Sequence, residues 1–395
     1  MYGTYNGTLL YGATYTNSTY FSYGSNLVLN NTLNQTMIVS SPFFSLAYTS
    51  FTFEAWIYGY TLSGDNSIFG QCQCSTCQDQ CLFLIVRNFR LYMGFMLDDL
   101  VGTATLSANT WYHVAFVYDY STLTQSLYIQ GVLDSSRSSA GPYIGQNGSI
   151  YIGSSQLAGS SFVGLIDSAV LTTRAKTAAE LLTTATLVAH FSFDGSTLVE
   201  DVGPNKINGT GYNTAVITGR VGQGMVFNGA SSYLSVYGFF QLGRSNQPFT
   251  IALWLYPFSI AGGTIIHKSV FQTSSSTWCQ CLMGLTTAGQ IAIRTNGANT
   301  HITGPFLSTL QWTHAVYAYS LANGPSLYIN GALYMTGGTG SFSSSGTTEW
   351  LTFGYNFGIC TPTPQSGGYY FGAMDEIYVY RRELSASEIN ALANP

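Results

Sequence analysis

The strongest constraint on the fold of this chain is an internal repeat with a spacing of about two hundred residues. The segment FTFEAWIY (51–58) returns as FTIALWLY (249–256), and SLYIQG (126–131) returns as SLYING (326–331). A longer segment, FVGLIDSAVLTTRAKTAAEL (162–181), returns as YFGAMDEIYVYRRELSASEI (370–389). The order and spacing of the matches are kept along the 395 residues, so the chain is predicted to fold as two copies of one unit.

Each repeated segment has the pattern of a β-strand. In TWYHVAFVYD (110–119), one face carries Trp111, His113, Ala115 and Val117, and the other face is also largely apolar. This pattern is typical of a central strand between two packed layers. Only 7% of the residues are charged and 15% are aromatic, which opposes disorder and favours strands.

One short helix is predicted after the last strand of each copy. Thr177-x-x-Glu180 and Ser385-x-x-Glu388 are capping boxes, in which each end of the motif bonds the backbone of the other. The pattern therefore predicts an all-β protein of two tandem jelly-roll β-sandwiches, each closed by a short C-terminal helix.

The order of these motifs resembles the laminin-G-like jelly-roll domain of the concanavalin A-like lectin and glucanase superfamily. The shared features are F-T-x-x-A/L-W, W-x-H, L-Y-I-x-G, and G-x-x-D before a capped helix, and they occur twice. The resemblance implies one domain at 1–184 and a second at 185–395. It does not imply one function, because this fold includes lectins, adhesion modules, enzymes and structural proteins.

The first copy lacks one predicted strand. Val188 to Phe193 in the second copy matches the family's first strand, whereas Asn6-Gly7-Thr8 aligns with Asn208-Gly209-Thr210 and leaves the strand before Met1. An absent first strand would expose a sheet edge and a groove. A processed or truncated chain, a first unit that tolerates the loss or fills the gap itself, and a strand supplied by another molecule all explain this pattern.

Four of the seven cysteines lie in QCQCSTCQDQC (71–81), at Cys72, Cys74, Cys77 and Cys81. Zinc sites use two cysteine pairs a dozen or more residues apart, which this segment lacks. Cys81 aligns with Cys281, and the aligned stretch of the second copy holds no matching ligand set. We therefore favour disulfides over zinc or free thiols. Four cysteines allow three pairings, and the preferred one is the nested arrangement with Cys72–Cys81 across a hairpin and Cys74–Cys77 at its tip. Cys360 is expected to bond Cys279 or Cys281, which leaves one thiol that is either buried or links subunits.

The disulfides predict a secreted, extracellular protein, although MYGTYNGTLLYG shows no basic start followed by an apolar stretch of the signal-peptide type. Glycosylation sequons are close in number to what chance predicts, and outside the cell several would carry glycan. They lie at Asn6, Asn17, Asn30, Asn34, Asn147 and Asn208.

Catalytic residues are not predicted. A glucanase of this fold needs paired carboxylates of the E-x-D-x-E type, and no such stretch occurs. Glu54 is alone on its strand, Asp375 and Glu376 are adjacent and point to opposite faces, and Asp167 and Asp375 are interpreted as loop or cap residues. His113 and His314 are interpreted as hydrogen-bonded structural residues.

No cofactor is predicted, although calcium is a weaker hypothesis for one acidic loop of the second copy. Its oxygen ligands would be Asp194, Glu200, Asp201 and Asn205. The net charge of −5, without a Lys/Arg run, opposes nucleic-acid binding, and the apolar runs are too short to span a membrane.

Together these features predict a non-enzymatic extracellular structural or adhesive protein that self-associates into an oligomer or a fibre by strand addition. The alternative is a carbohydrate-binding, lectin-like module that stacks exposed tyrosines on glycans.

Overall fold

The computed structural model describes residues 6–17, 24–30, 34–41, 45–146, 148–155, 161–273, 278–294, 301–357 and 365–395. These residues form two compact units that meet between Ala185 and Thr186, next to the predicted boundary. Each unit is built almost entirely from antiparallel strands, because Val, Ile, Tyr, Phe and Thr at alternate positions leave an apolar face for a second layer to cover.

The first unit contains the following elements in chain order: β1 (Thr8–Leu10), β2 (Thr14–Thr16), β3 (Asn26–Leu29), β4 (Thr36–Val39), β5 (Phe51–Gly59), β6 (Asp65–Cys72), β7 (Cys81–Arg87), β8 (Arg90–Gly94), β9 (Asp99–Val101), β10 (Trp111–Asp119), β11 (Thr124–Ile129), β12 (Val132–Arg137), β13 (Ile150–Ile152), β14 (Gly164–Thr172) and α1 (Ala178–Thr186).

The second unit contains these: β15 (Leu187–Phe191), β16 (Thr210–Tyr212), β17 (Thr214–Thr218), β18 (Gln223–Asn228), β19 (Tyr233–Phe239), β20 (Phe249–Pro257), β21 (Gly263–Ser269), β22 (Cys279–Leu285), β23 (Gln290–Arg294), β24 (His301–Phe306), β25 (Thr313–Ser320), β26 (Gly324–Ile329), β27 (Ala332–Thr336), β28 (Glu349–Phe353), β29 (Phe371–Tyr380) and α2 (Ala386–Leu392).

The two units share one topology. The first has two seven-stranded sheets, ordered β1-β4-β13-β6-β7-β8-β9 and β12-β11-β10-β5-β14-β3-β2. The second repeats this order as β16-β19-β28-β21-β22-β23-β24 and β27-β26-β25-β20-β29-β18-β17, and β15 also pairs with β29. The predicted tandem β-sandwich architecture is confirmed.

The core of each unit lies between its two sheets. β10 occupies the interior of its sheet, as predicted, with Val114 and Phe116 in the inter-sheet core and Ala115 and Val117 in a separate cluster with Leu181 of α1. Both helices begin at the predicted capping boxes: Glu180 N–H donates to Thr177 Oγ1, and the Ser385–Glu388 box is complete. Each helix therefore covers the outer face of one sheet.

Candidate binding groove

Among the described residues, β14 has a neighbouring strand on its β3 side along only half of its length. Gly164–Ile166 pairs with Leu27–Leu29 of β3, and the whole of β14 follows β5 on the opposite side. In the part of the chain that the structure describes, no strand pairs with β14 at 169–172 on the β3 side. The side chain of Val170 is 44% exposed there. The first unit therefore presents an open sheet edge.

The second unit covers the same edge with β15. Leu187, Ala189, His190 and Phe191 of β15 pair with Tyr380, Val379, Tyr378 and Ile377 of β29, which correspond to Thr172, Leu171, Val170 and Ala169 of β14. The side chains of Ala189, Phe191 and Phe193 are buried in the inter-sheet core. β15 is thus the one described strand that distinguishes the two units.

The open edge borders an apolar groove of about 580 Å³. Its walls come from both sheets and include Met37, Val39, Phe53, Phe69, Ile152 and Leu171. The corresponding residues of the second unit, Leu234, Val236, Ile251, Ile266, Phe353 and Val379, are all fully buried in its core. The groove of the first unit therefore occupies the place that β15 fills in the second.

An ion pair lies on the outer face of the first unit, beside the open edge. Lys176 Nζ donates to Glu54 Oε1, and His113 Nε2 lies 3.5 Å from Glu54 Oε2. Burial would raise the pKa of Glu54, but the hydrogen bonds from His113 and Lys176 outweigh it and lower the pKa. Glu54 is the one carboxylate on β5, as predicted, and its charged partners come from other segments.

The second unit has an apolar cluster in the same place. Ala252 replaces Glu54 and Leu384 replaces Lys176, and both pack in one cluster with Leu187 of β15. The two replacements are visible in the aligned repeats, and their pairing could have been inferred from them. We call this position, Glu54 with Lys176 in the first unit and Ala252 with Leu384 in the second, the outer corner. It is charged in the first unit, where no described strand covers it, and apolar in the second unit, where β15 covers it.

The repeated aspartates, predicted as loop or cap residues, lie inside strands at a β-bulge. Both β14 and β29 shift register against their neighbour just after Asp167 and Asp375. Asp375 Oδ2 accepts the Val221 N–H at 2.9 Å, and Oδ1 accepts the Glu376 N–H at 2.8 Å. The capping role is present: the Glu376 N–H comes from the bulge itself, and the Val221 N–H comes from the turn between β17 and β18.

His190 and Glu376 form a second polar group next to this bulge. His190 Nε2 lies 2.8 Å from Glu376 Oε2, which also accepts the Tyr378 hydroxyl. The His190 and Tyr378 rings are stacked with centroids 4.0 Å apart. These contacts join the outward side of β15 to β29, so they hold the strand in place.

Burial lowers the pKa of His314 to about 4, which favours the neutral ring.

Replacement of Asp375 by Asn should flatten the pH dependence of the second unit. Burial is the main cause that raises the pKa of Asp375 from 3.8 to about 7, and the negative charge of Glu376 adds to it. The folded unit then binds this proton more tightly than the unfolded chain, so the carboxyl destabilises the unit as the pH rises from about 4 to about 7. As the pH rises from 5 to 7.5, we expect the free energy of unfolding to fall by about a few kcal/mol more in the native chain than in Asp375→Asn. Urea unfolding at pH 5 and pH 7.5 measures this difference, and equal pH slopes would contradict it.

The cysteine-rich segment forms two nested disulfides. Cys72 bonds Cys81 across the β6–β7 hairpin, and Cys74 bonds Cys77 at its tip. By ladder position the counterpart of Cys81 is Cys279, which lies opposite Ser269 as Cys81 lies opposite Cys72. The alignment of Cys81 with Cys281 was therefore wrong by two residues, because the equivalent strands β7 and β22 begin at Cys81 and Cys279.

The remaining cysteines differ in state. Cys279 is disulfide-bonded, whereas Cys281 is a buried free thiol whose pKa is raised by burial to about 11. Cys360 lies outside the described residues. Because the Cys281 thiol is buried, it does not link subunits.

The five described sequon asparagines are all solvent-exposed: Asn6, Asn17, Asn30, Asn34 and Asn208. Asn147 lies outside the described residues. Exposure makes these side chains accessible to glycan attachment, which stays a prediction.

The acidic loop proposed for calcium is engaged in backbone contacts. Both oxygens of Asp201 accept backbone N–H groups, from His190, Gly203 and Ile207, and Asp194 Oδ1 accepts the Gln223 N–H. Asn205 donates to the Leu187 and Val188 carbonyls. Over the described ranges no group of three or more His, Cys, Asp or Glu side chains is placed to hold a metal ion. The calcium site, with Glu200 as its fourth ligand, stays a prediction.

A family model for the concanavalin A-like lectin/glucanases superfamily matches residues 33–182 and 228–390. The chain belongs to this superfamily. Both units match the same laminin-G-type model, which confirms the resemblance found in the repeated motifs.

Solved structures with a similar fold include other members of this architecture. Domain 4 of an extracellular arabinanase from Geobacillus stearothermophilus, in complex with arabinotriose, is 23% identical over 52% of this chain and 98% of that one, with a TM-score of 0.38. Domains LG4-5 of the mouse laminin alpha1 chain are 12% identical over 89% and 88%, with a TM-score of 0.30. A botulinum neurotoxin type C structure is 12% identical over 55% and 52%, with a TM-score of 0.40.

No curated protein sequence matches this superfamily member. Among the helices of the described ranges, none has the length and apolar character that crossing a membrane requires.

Proposed function

We propose that this chain is a non-enzymatic extracellular protein with a structural or adhesive role, and that its first unit binds a β-strand from another polypeptide. The observation that carries the proposal is the open edge of β14 above an apolar groove of about 580 Å³. If the strand belongs to another copy, the same contact repeats from copy to copy and builds a fibre.

Strand addition suits the chemistry of this edge. An incoming strand satisfies the unpaired backbone groups of β14, and its inward side chains fill the groove, so backbone bonds supply affinity and side chains supply specificity. β15 shows within the same chain that such a strand closes the same sandwich. A long open edge that is not used in this way is an aggregation hazard.

The extracellular location is supported by two features. The two disulfides of the β6–β7 hairpin persist in an oxidising compartment. The polarity of the chain comes from hydroxyl and amide side chains instead of charges. In an extracellular protein the five exposed sequon asparagines would be sites of glycan attachment.

The proposal is tested by electron microscopy and sedimentation of the full chain across a range of concentrations. We expect filaments or oligomers in the native protein and their loss in Ala169→Trp, because the exposed Ala169 lines the groove and a bulky ring there would fill it. Val216→Trp makes the same change at an exposed position of an edge strand of the second unit and should assemble normally. A native chain that stays monomeric, or Ala169→Trp that still assembles, would contradict strand addition.

A lectin-like role is the second candidate, favoured by a row of aromatic side chains on the second unit. Tyr212 is 53% exposed and stacks on Tyr233 at 5.5 Å, and Phe357, Tyr355 and Tyr369 continue the row at centroid distances of 5.0, 5.0 and 3.7 Å. Aromatic faces of this kind stack on apolar faces of ligands. Binding to a glycan array that is lost in Tyr212→Ala would favour this role.

A further inference from the structure

The two units differ in the chemistry that surrounds the strand position, and this difference specifies the strand. We infer that the groove of the first unit takes an extended peptide that lies antiparallel to β14, with apolar side chains at two inward positions and a neutral polar side chain where β15 has Leu187. The inference rests on the proposed function, because it names the segment that the groove accepts.

The direction and register follow from β15. Its residues Phe191, His190 and Ala189 pair with the positions of β29 that correspond to Ala169, Val170 and Leu171. A peptide in the first unit therefore runs antiparallel to β14, and from the Ala189 position onward every second side chain points into the groove. The register shift between Leu187 and Ala189 breaks this alternation, so the Leu187 position lies on the outer side.

The inward positions require apolar side chains, at least one of them large. Ala169 stands where Ile377 stands in the second unit, so the residue that takes the place of Phe191 has more room than Phe191 itself. Met37 and Leu171, which are still partly exposed, would be covered by such a side chain. A polar residue at this position would be buried without a partner.

The peptide position that corresponds to Leu187 lies on the outer side and requires a neutral polar side chain. In the second unit, Leu187 packs with Ala252 and Leu384, whereas the first unit has Glu54 and Lys176 at those positions. A leucine there would cover a paired charge with hydrocarbon, and a carboxylate would be repelled by Glu54. A threonine, serine or asparagine can accept a hydrogen bond from the Lys176 ammonium without either cost.

Three labelled peptides test the inference by fluorescence anisotropy with the full chain at low concentration. The first carries residues 186–194, the second has Leu187→Thr, and the third adds Phe191→Ser and Phe193→Ser to the second. We expect the second peptide to bind at least tenfold more tightly than the first, and the third not to bind. Binding must disappear in the Ala169→Trp chain, which shows that the first unit is the site.

A double variant, Glu54→Ala with Lys176→Leu, provides the matched control because it gives the first unit the residue types of Ala252 and Leu384. It should reverse the preference, so that the first peptide binds more tightly than the second. The second unit already has these two residues at the equivalent positions, as Ala252 and Leu384. The backbone contact is also the same, because Leu384 N–H donates to Thr250 Oγ1 as Lys176 N–H donates to Thr52 Oγ1.

The possible failures are distinguishable. Equal binding of the first two peptides to the native chain overturns the inferred specificity and leaves the strand-acceptor role intact. Absence of binding by all three peptides, together with filaments that persist in Ala169→Trp, overturns both the inference and the strand-addition proposal. If the double variant does not fold, the comparison of the first two peptides on the native chain still decides.

Discussion

A chain that carries a copy of residues 187–207 in front of Asn6, in place of residues 1–5, is expected to have a more stable first unit and to lose self-association. The graft reproduces the second unit, where β15 and its connection lead to Asn208, the counterpart of Asn6. Full burial of two phenylalanine side chains contributes roughly 3–6 kcal/mol. In a unit of this size we expect the melting temperature to rise by about 10 °C.

Calorimetry and sedimentation measure the two effects in the same sample. The matched control is the same graft with serine at the copied positions of Phe191 and Phe193, which keeps the backbone and removes the apolar side chains. It should leave the first transition near its native temperature. A full graft that does not stabilise the first unit, or that still assembles, would show that the groove is not a strand site.

Phe191→Ala is expected to have the second largest effect, as a loss of 3–5 kcal/mol in the stability of the second unit, a typical cost for this change in a core. The Phe191 side chain is fully buried between the sheets, so its removal leaves a cavity that the surrounding β-sandwich cannot collapse to fill. The change recreates in the second unit part of the groove that the first unit already has.

Chemical denaturation followed by tryptophan fluorescence measures this loss. Phe306→Ala is the matched control, because Phe306 ends the edge strand β24 and is 63% exposed. It should change the free energy of unfolding by less than about 0.5 kcal/mol. A Phe191→Ala variant as stable as the control would mean that β15 is not needed to close the sandwich.

Much of the fold was predictable, because the patterns that produce it either lie within short segments or occur in both copies of the repeat. Alternation placed β10 inside a sheet, Thr177 and Ser385 began the two helices, and the comparison of the repeats identified β15 as the element without a counterpart. The nested disulfides were the preferred one of the three pairings that four cysteines on one hairpin allow, and the structure confirms that choice.

Other features depended on contacts across the sheets. The ion pair of Glu54 and Lys176 joins residues 122 apart in sequence, and its only signal in the sequence is the joint replacement by Ala252 and Leu384 in the second copy. Asp375 was expected as a loop or cap residue, and only the bulge in β29 shows how a strand residue can cap a turn from another segment. The pairing of Ser269 with Cys279, which identifies Cys279 as the counterpart of Cys81, was likewise visible only in the strand ladder.

The sequence by itself determined the duplication, the β-sandwich class, the cysteine-rich hairpin and the segment of the second copy that has no match in the given first copy, because periodicity and repeats can be read from consecutive residues. Only the tertiary structure decided that an apolar groove of about 580 Å³ borders β14 at the position that β15 occupies against β29, with Glu54 and Lys176 in place of Ala252 and Leu384. The physical reason is that a groove and its selectivity arise from side chains that different strands bring together, and their distances depend on register and packing.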